Sequence, residues 1–329
     1  VITGVDAMRR RRFLALGLGA AVSAAGCGSR RAGPAGTAAL GHVSVVADGE
    51  HWAPVAQVYG RALRQRVAPP AGHAAAVPGP ATRITVTGLS AVASAEVNQR
   101  TPLLEAATPL ARLTGEPEVV VVPAESRLAG FDAFAAALLA DPAAIRLAGG
   151  PQGEADHVLF GLISQGLGAD TRLVDYAGYS TSVEAAAALM AGTVAAAAGT
   201  LAAWRTRIDR GRVRVLAVST AERVAGLDAP TLRECGVRVD FSEWCAAFGP
   251  PDMGERARLA AVAACEEVAY SEQWLEACRT RGWKPMPLAG GDFARWLASE
   301  LGRTRHVLRD LGLLDTHSTS CGVGCGNGH

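Results

Sequence analysis

LAGGPQGEADHVLFGLISQGLG, from Leu147 to Gly168, puts two glycines at the end of a short apolar run and then begins a helical pattern. AIRLAGG reads as a strand and EADHVLFGLISQGLG as a helix. A strand, a glycine turn and a helix start in that order gather backbone N–H groups around a helix N-terminus, a setting that favours an anion. Upstream, GFDAFAAALLADP reads as helix, and EVVVVP, Glu118 to Pro123, as a strand buried on both faces. Downstream, TRLVDYAG, TVAAAAG and RVRVLAVST read as strands separated by the helices TSVEAAAALMAG and LAAWRTRIDRG. This alternation predicts parallel α/β units, which hold ligands beyond the carboxyl ends of their strands.

The flanks are simpler. GHVSVVA and TRITVTG read as strands, PVAQVYGRALRQRV as a helix, and VAPPAGHAAAVPGPA as loop. ERARLAAVAACEEVAYSEQWLEACRTRGW and GGDFARWLASELGRTRHVLRDLGLL read as helices ending near Leu314, followed by a glycine-rich tail.

At 329 residues and 49% hydrophobic, the chain is long enough for about two domains and a sizeable core. Arg9 to Arg12 hold four of its 32 basic residues, so the body after Gly26 is slightly acidic, with Lys284 its single lysine. That balance excludes a nucleic-acid footprint. MRRRRFLALGLGAAVSAAGC, Met8 to Cys27, has the basic segment, apolar stretch and small residues of an export signal, and the stretch is too short for an ordinary spanning helix. Ser23-Ala24-Ala25-Gly26-Cys27 resembles a bacterial lipobox, which implies lipidation at Cys27. Arg10-Arg11-Arg12-Phe13-Leu14 fits either a twin-arginine or a general export signal. Cys235, Cys245, Cys265, Cys278, Cys321 and Cys325 then remain, and the four central ones read equally as paired or as buried free thiols.

Motifs for several chemistries are missing: no GxSxG elbow, no GxxxxGK[ST] phosphate loop and no HExxH. His157 follows Asp156 directly and points about 100° away from it on a helix, so the two form no dyad. It reads as structural at the helix start, as pocket lining, or as catalytic. Thr181 and Glu184 fit a capping box. His317, Cys321, Cys325 and His329 repeat at intervals of four, in a glycine-rich segment where a zinc site, a disulfide and an unstructured tail all stay open.

TPLARLTGEPEVVVVPAESRL, AGGPQGEADHVLFGLI, VDYAGYSTSVEAAAALMAGTVAAAAGTLAAW, RVRVLAVSTAERVAGLDAPTLRECGV, EWCAAFGPPDM and RGWKPMPLAGGDFARWL occur in one order and spacing. Together they resemble the tripartite tricarboxylate transporter receptors, the Bug-type extracytoplasmic solute receptors, over roughly Arg83 to Leu314. The resemblance implies a periplasmic-binding-protein-like α/β fold of two lobes joined by crossing strands, Val119–Val122 and Val213–Val218. It assigns residues 1–27 to the signal, 28–39 to a tether, 40–122 plus 216–314 to lobe one, 123–215 to lobe two and 315–329 to the tail. It implies a small di- or tricarboxylate between the lobes, permease subunits as partners, neither cofactor nor metal, no catalysis, and a lipid-anchored or periplasmic location.

The ligand contacts it implies in lobe two are Gly149, Gly150, Gly153, Asp156 and His157 on the glycine loop, Tyr179, Ser180, Thr181 and Ser182 before the next helix, and Gly199 and Thr200. Thr181 and Ser182 stand where relatives usually carry glycine. In lobe one the implied contacts are Gly49, Trp52, Gly88 and Ser90. There ADGEHWAPV has Ala53 at the family's aspartate position, and a glycine-rich turn with its helix is missing before Thr82, which implies a shortened lobe. A transport-independent sensor derived from the family and an enzyme acting on a carboxylic acid are the rival readings.

Overall fold

A computed structural model describes residues 40, 42–67, 81–101 and 103–314. The export segment with Cys27, the tether, residues 68–80 and the His/Cys tail lie outside the described residues. In chain order come β1 (Val43–Ala47), α1 (Ala53–Val67), β2 (Thr82–Gly88), α2 (Leu89–Val97), α3 (Leu103–Ala106) and β3 (Thr108–Glu116). Next are β4 (Glu118–Pro123), α4 (Phe131–Ala140), β5 (Leu147–Gly149), α5 (Ala155–Leu167), β6 (Tyr176–Gly178), α6 (Ser182–Met190), β7 (Ala196–Thr200), α7 (Leu201–Asp209) and β8 (Val213–Val218). The series closes with β9 (Glu243–Gly249), α8 (Glu255–Ala269), α9 (Glu272–Arg281), β10 (Lys284–Ala289) and α10 (Gly290–Asp310).

Two mixed sheets result, one in the order β1-β2-β9-β3-β10 and the other β6-β5-β7-β4-β8. The α/β class is as expected, but the uniformly parallel arrangement is not. Among the described strands only β1–β2, β5–β6 and β5–β7 run parallel. The others are antiparallel because the chain visits both sheets: β3 leads out of the first sheet and β9 comes back into it, while β4 enters the second and β8 leaves. The expected crossing strands, Val119–Val122 and Val213–Val218, both lie inside the second sheet. The chain crosses instead at Pro117 and along residues 219–242, so by sheet membership one half is 40–117 plus 219–314 and the other 118–218. The crossings are laced together. The Ser219 N–H donates to the Glu118 carbonyl (2.9 Å), the Glu118 N–H donates to Ser219 Oγ (2.9 Å), and that hydroxyl donates to the Phe241 carbonyl (2.7 Å).

The valine run of β4 is buried on both faces, as its composition predicts. Val119 and Val121 pack with Leu189 and Trp204, and Val120 and Val122 with Phe134 and Leu159. Each such valine contributes about 1.5–3 kcal/mol on burial. The first half has its own core, in which Tyr59 meets Trp274 edge to face at 5.1 Å and donates its hydroxyl to the Cys265 carbonyl. Cys245, Cys265 and Cys278 are buried there as free thiols, and Cys235 is a half-buried free thiol elsewhere. Burial pushes Cys265 up to about 12 and Cys278 to about 11, far from the thiolate form that reacts.

α10 ties the halves together. Its first turns pack Phe293 against Phe248 of β9, and its later turns bring Val307 and Leu311 so close to Gly161 of α5 that a Cβ on that glycine would stand 2.6 Å from Val307. Among the described residues no helix is long and apolar enough to cross a membrane.

Candidate functional site

The starts of α1, α2, α5, α6 and α7 surround a cavity of about 550 Å³. The first half contributes Asp48, His51, Trp52, Ser90 and Glu243 to its wall, and the second half Gly150, Glu154, Asp156, Ser180, Thr181, Ser182, Gly199 and Thr200. Nine of the expected contacts therefore face one space: Trp52, Ser90, Gly150, Asp156, Ser180, Thr181, Ser182, Gly199 and Thr200.

The remaining expected contacts have structural positions. Gly149 lies behind the wall, where a Cβ would come within 2.5 Å of the Asp156 Cβ and 2.6 Å of the Tyr176 hydroxyl. The Gly153 N–H donates to His157 Nδ1 at 3.1 Å. His157 is buried and stacks on Tyr176, with ring centroids 4.0 Å apart, so it supports the glycine loop rather than lining the cavity. Its burial drives the imidazole down to about 4, leaving it neutral and able to accept that N–H. Tyr179 packs into the apolar cluster around Trp204, Gly88 is wedged between Trp52 and the β9 backbone, and Gly49 is an exposed turn residue with φ +93.

The glycine loop satisfies most of its own donors. The Gly150 N–H donates to Asp156 Oδ2 (2.6 Å), and Tyr176 Oη donates to the Gly150 carbonyl (2.7 Å). The Ala155 N–H, at the start of α5, reaches across to Ser90 Oγ in the first half (3.3 Å), and Ser90 donates to Glu243 (2.5 Å). The N-terminus of α5 is thus already answered by a side chain. At α6 the capping box is formed as expected: Thr181 Oγ1 accepts from the Glu184 N–H (3.2 Å) and Glu184 accepts from the Thr181 N–H (3.1 Å). Ser182 and Val183 keep first-turn N–H groups with no intrahelical acceptor.

Carboxylates dominate the cavity electrostatics. Burial, with Glu243 and Asp156 adding to it, raises Glu154 to about 7. Burial also raises Asp156 to about 6, against the pull of the Gly150 N–H. Behind Asp156, Glu118 is fully buried, and burial, with the neighbouring Asp156 adding to it, pushes it far up, so it is a neutral acid. Among the described residues of the wall the one basic group is His51, raised to about 9 by its hydrogen bond to Glu243, with Nε2 3.5 Å from that carboxylate. Asp48 is fixed by the Thr87 hydroxyl at 3.0 Å.

Asp48, His51, Glu154 and Glu243 were not among the contacts expected from sequence. Asp48 and His51 sit in the ADGEHW stretch, where only Gly49 and Trp52 carry the family likeness. Glu243 has no local signal, because its role comes from pairing with a histidine 192 residues earlier.

The profile of the tripartite tricarboxylate transporter family receptors matches residues 97–313. The chain belongs to this receptor family. Among curated proteins it is similar to protein BugT of Bordetella pertussis, 26% identical over 212 residues that make up 64% of each chain, so it spans under two thirds of that relative's length. Its fold resembles a TctC solute-binding protein from Polaromonas (TM-score 0.63, 16% identity, 80% of this chain and 95% of that one). It also resembles MatC from Rhodopseudomonas palustris, whose structure holds malate (TM-score 0.56, 16% identity, 83% and 97%). Of the receptor's cavity wall, the second half and Glu243 lie inside the matched region, while Asp48, His51, Trp52 and Ser90 precede it.

Proposed function

We propose that this receptor captures a small organic acid bearing an ammonium or other N–H-rich end, closes its two halves over it, and presents it to a permease. The observation that carries this reading is the arrangement of the cavity: Asp48, Glu154, Asp156 and Glu243 face a single cation, His51, that is already paired. The first turn of α6 opposes them with unanswered donors. A ligand carboxylate fits the α6 end, and a donor-rich end fits the acids. A plain dicarboxylate places its second charge among like charges. The malate held by MatC supports an organic acid, and the cavity chemistry of this chain supports the added cationic end.

Glu154 supplies the test. It titrates at about 7 in the free receptor and Asp156 at about 6, whereas His51 stays charged to about 9. A cationic end binds the ionised carboxylates, so affinity for an amino-dicarboxylate such as aspartate rises about tenfold from pH 6 to pH 8 and then levels off. Calorimetric titration of aspartate and succinate at both pH values measures this. Tighter binding of succinate, strengthening toward pH 6, would overturn the cationic end and leave the plain dicarboxylate reading.

Export and lipidation at Cys27 complete the proposal, supported by the Ser23–Cys27 sequence. Cys27→Ala is expected to move the receptor from the membrane fraction to the soluble fraction on ultracentrifugation. Unchanged fractionation would refute the anchor.

A further inference from the structure

A second cavity, of about 660 Å³, lies where both crossings between the sheets run. Pro117 belongs to the outward crossing, and Thr220 to Val224 to the return. Leu201, at the start of α7, and Trp283, between α9 and β10, complete an apolar wall with Pro117 and Val224. At its rim stand Arg281 and Lys284, both exposed and neither in an ion pair among the described residues. The Arg281 guanidinium lies 5.5 Å from the centre of the Trp283 ring. Arg205 and Arg223 also face the space and are paired with Asp209 and Glu234, which lie outside the wall. Among the described residues Glu116 and Glu222 are the only acids in the wall. The charge balance is therefore opposite to that of the acid-lined cavity.

We propose that this second cavity binds an organic anion with an apolar body, an aromatic or medium-chain carboxylate, independently of the acid-lined cavity. An apolar floor with unpaired cations at the rim recognises such a molecule: the body leaves water against Trp283 and Leu201, and the carboxylate meets Arg281 and Lys284. The paired guanidiniums of Arg205 and Arg223 add to the positive field without being stripped of their partners. Because both crossings form its wall, a ligand there touches both halves.

Lys284 is the only lysine in the chain, so its ε-amine is a unique chemical reporter. 2-Naphthoate serves as the probe, with the full chain throughout. Saturating 2-naphthoate is expected to slow acetylation of Lys284 by an amine-reactive reagent at least fivefold by mass spectrometry, and to quench tryptophan fluorescence. The double variant Arg281→Glu/Lys284→Glu, at exposed positions, is expected to bind 2-naphthoate at least tenfold more weakly while melting as the parent does. Asp156→Asn is expected to leave 2-naphthoate affinity unchanged, which separates this site from the first cavity whatever ligand the first one takes. Equal binding of uncharged 2-naphthamide, unchanged affinity in the double variant, or loss of binding in Asp156→Asn would each overturn the proposal.

Discussion

Asp156→Asn is expected to make the free receptor more stable and a poorer binder at once. Asp156 is half-buried in the cavity wall, and its rise from 3.8 to about 6 means that ionising it opposes folding. A shift of that size corresponds to at most roughly 3 kcal/mol. Asparagine removes the charge and keeps an oxygen to accept the Gly150 N–H. Its amide also offers a donor to the neighbouring Glu118 carboxyl. A gain of about 1–2 kcal/mol corresponds to a Tm increase of about 2–3 °C for a chain of this size.

The gain has a defined pH profile. The native state holds the Asp156 proton up to about pH 6, whereas the unfolded chain releases it near 3.8, so the parent loses stability as pH rises through that window. The difference between variant and parent is therefore near zero at pH 4 and complete above pH 7. Binding moves the other way, with a loss of at least tenfold for an amino-bearing acid at pH 8, because one carboxylate facing its cationic end is gone. Thermal unfolding from pH 4 to 8 beside calorimetric titration reads both effects. A stabilised variant with unaltered affinity would remove Asp156 from the ligand site, and a destabilised one would show that the charge supports the loop. Stability set aside in a site for the sake of its ligand is the general pattern this variant probes.

What could be read from the sequence follows the range of the interactions involved. The valines of β4, the helix of α5 and the Thr181–Glu184 cap rest on near neighbours, and all three stand where local pattern puts them. β3, β9 and β10 escaped because their pairing is distant: TPLARLTGE, in a stretch that reads as helical, becomes a strand between β9 and β10, and EWCAAFG becomes one by lying between β2 and β3, from which it is far removed in sequence. β6 shrinks to three residues of the longer strand expected from TRLVDYAG, because a short 3-10 turn, Thr171–Leu173, takes the front of that run. The site divides in the same way. Its glycine loop was legible as a helix-entry motif, but the motif cannot show that Asp156 and Ser90 already occupy the donors, and the acid wall joins segments that meet only in the fold.

Gly88→Ala carries the second large effect, and it tests the half of the cavity that precedes the family match. Gly88 has extended backbone, so alanine introduces no conformational strain there. The obstacle is contact: a Cβ at this position would stand 2.3 Å from the Trp244 carbonyl oxygen and 2.3 Å from the Trp52 ring. The carbonyl cannot withdraw, because Trp244 is itself buried on β9 and Gly88 is paired in register with Cys245 beside it. Trp52 must give way, and it is both part of the first core and part of the cavity wall. Overpacking of this kind costs about 3 kcal/mol, a Tm decrease of about 4–6 °C. Ligand affinity should fall even well below the melting temperature, since the displaced indole no longer shapes the wall. Gly302→Ala provides the contrast within one chain. It is exposed, inside α10 and surrounded by open space, so alanine there should stabilise by about 0.5–1 kcal/mol through helix propensity alone. If both substitutions shift Tm by the same small amount, Trp52 and the β9 backbone do not meet at Gly88, and the wall that carries His51 and Asp48 is built differently.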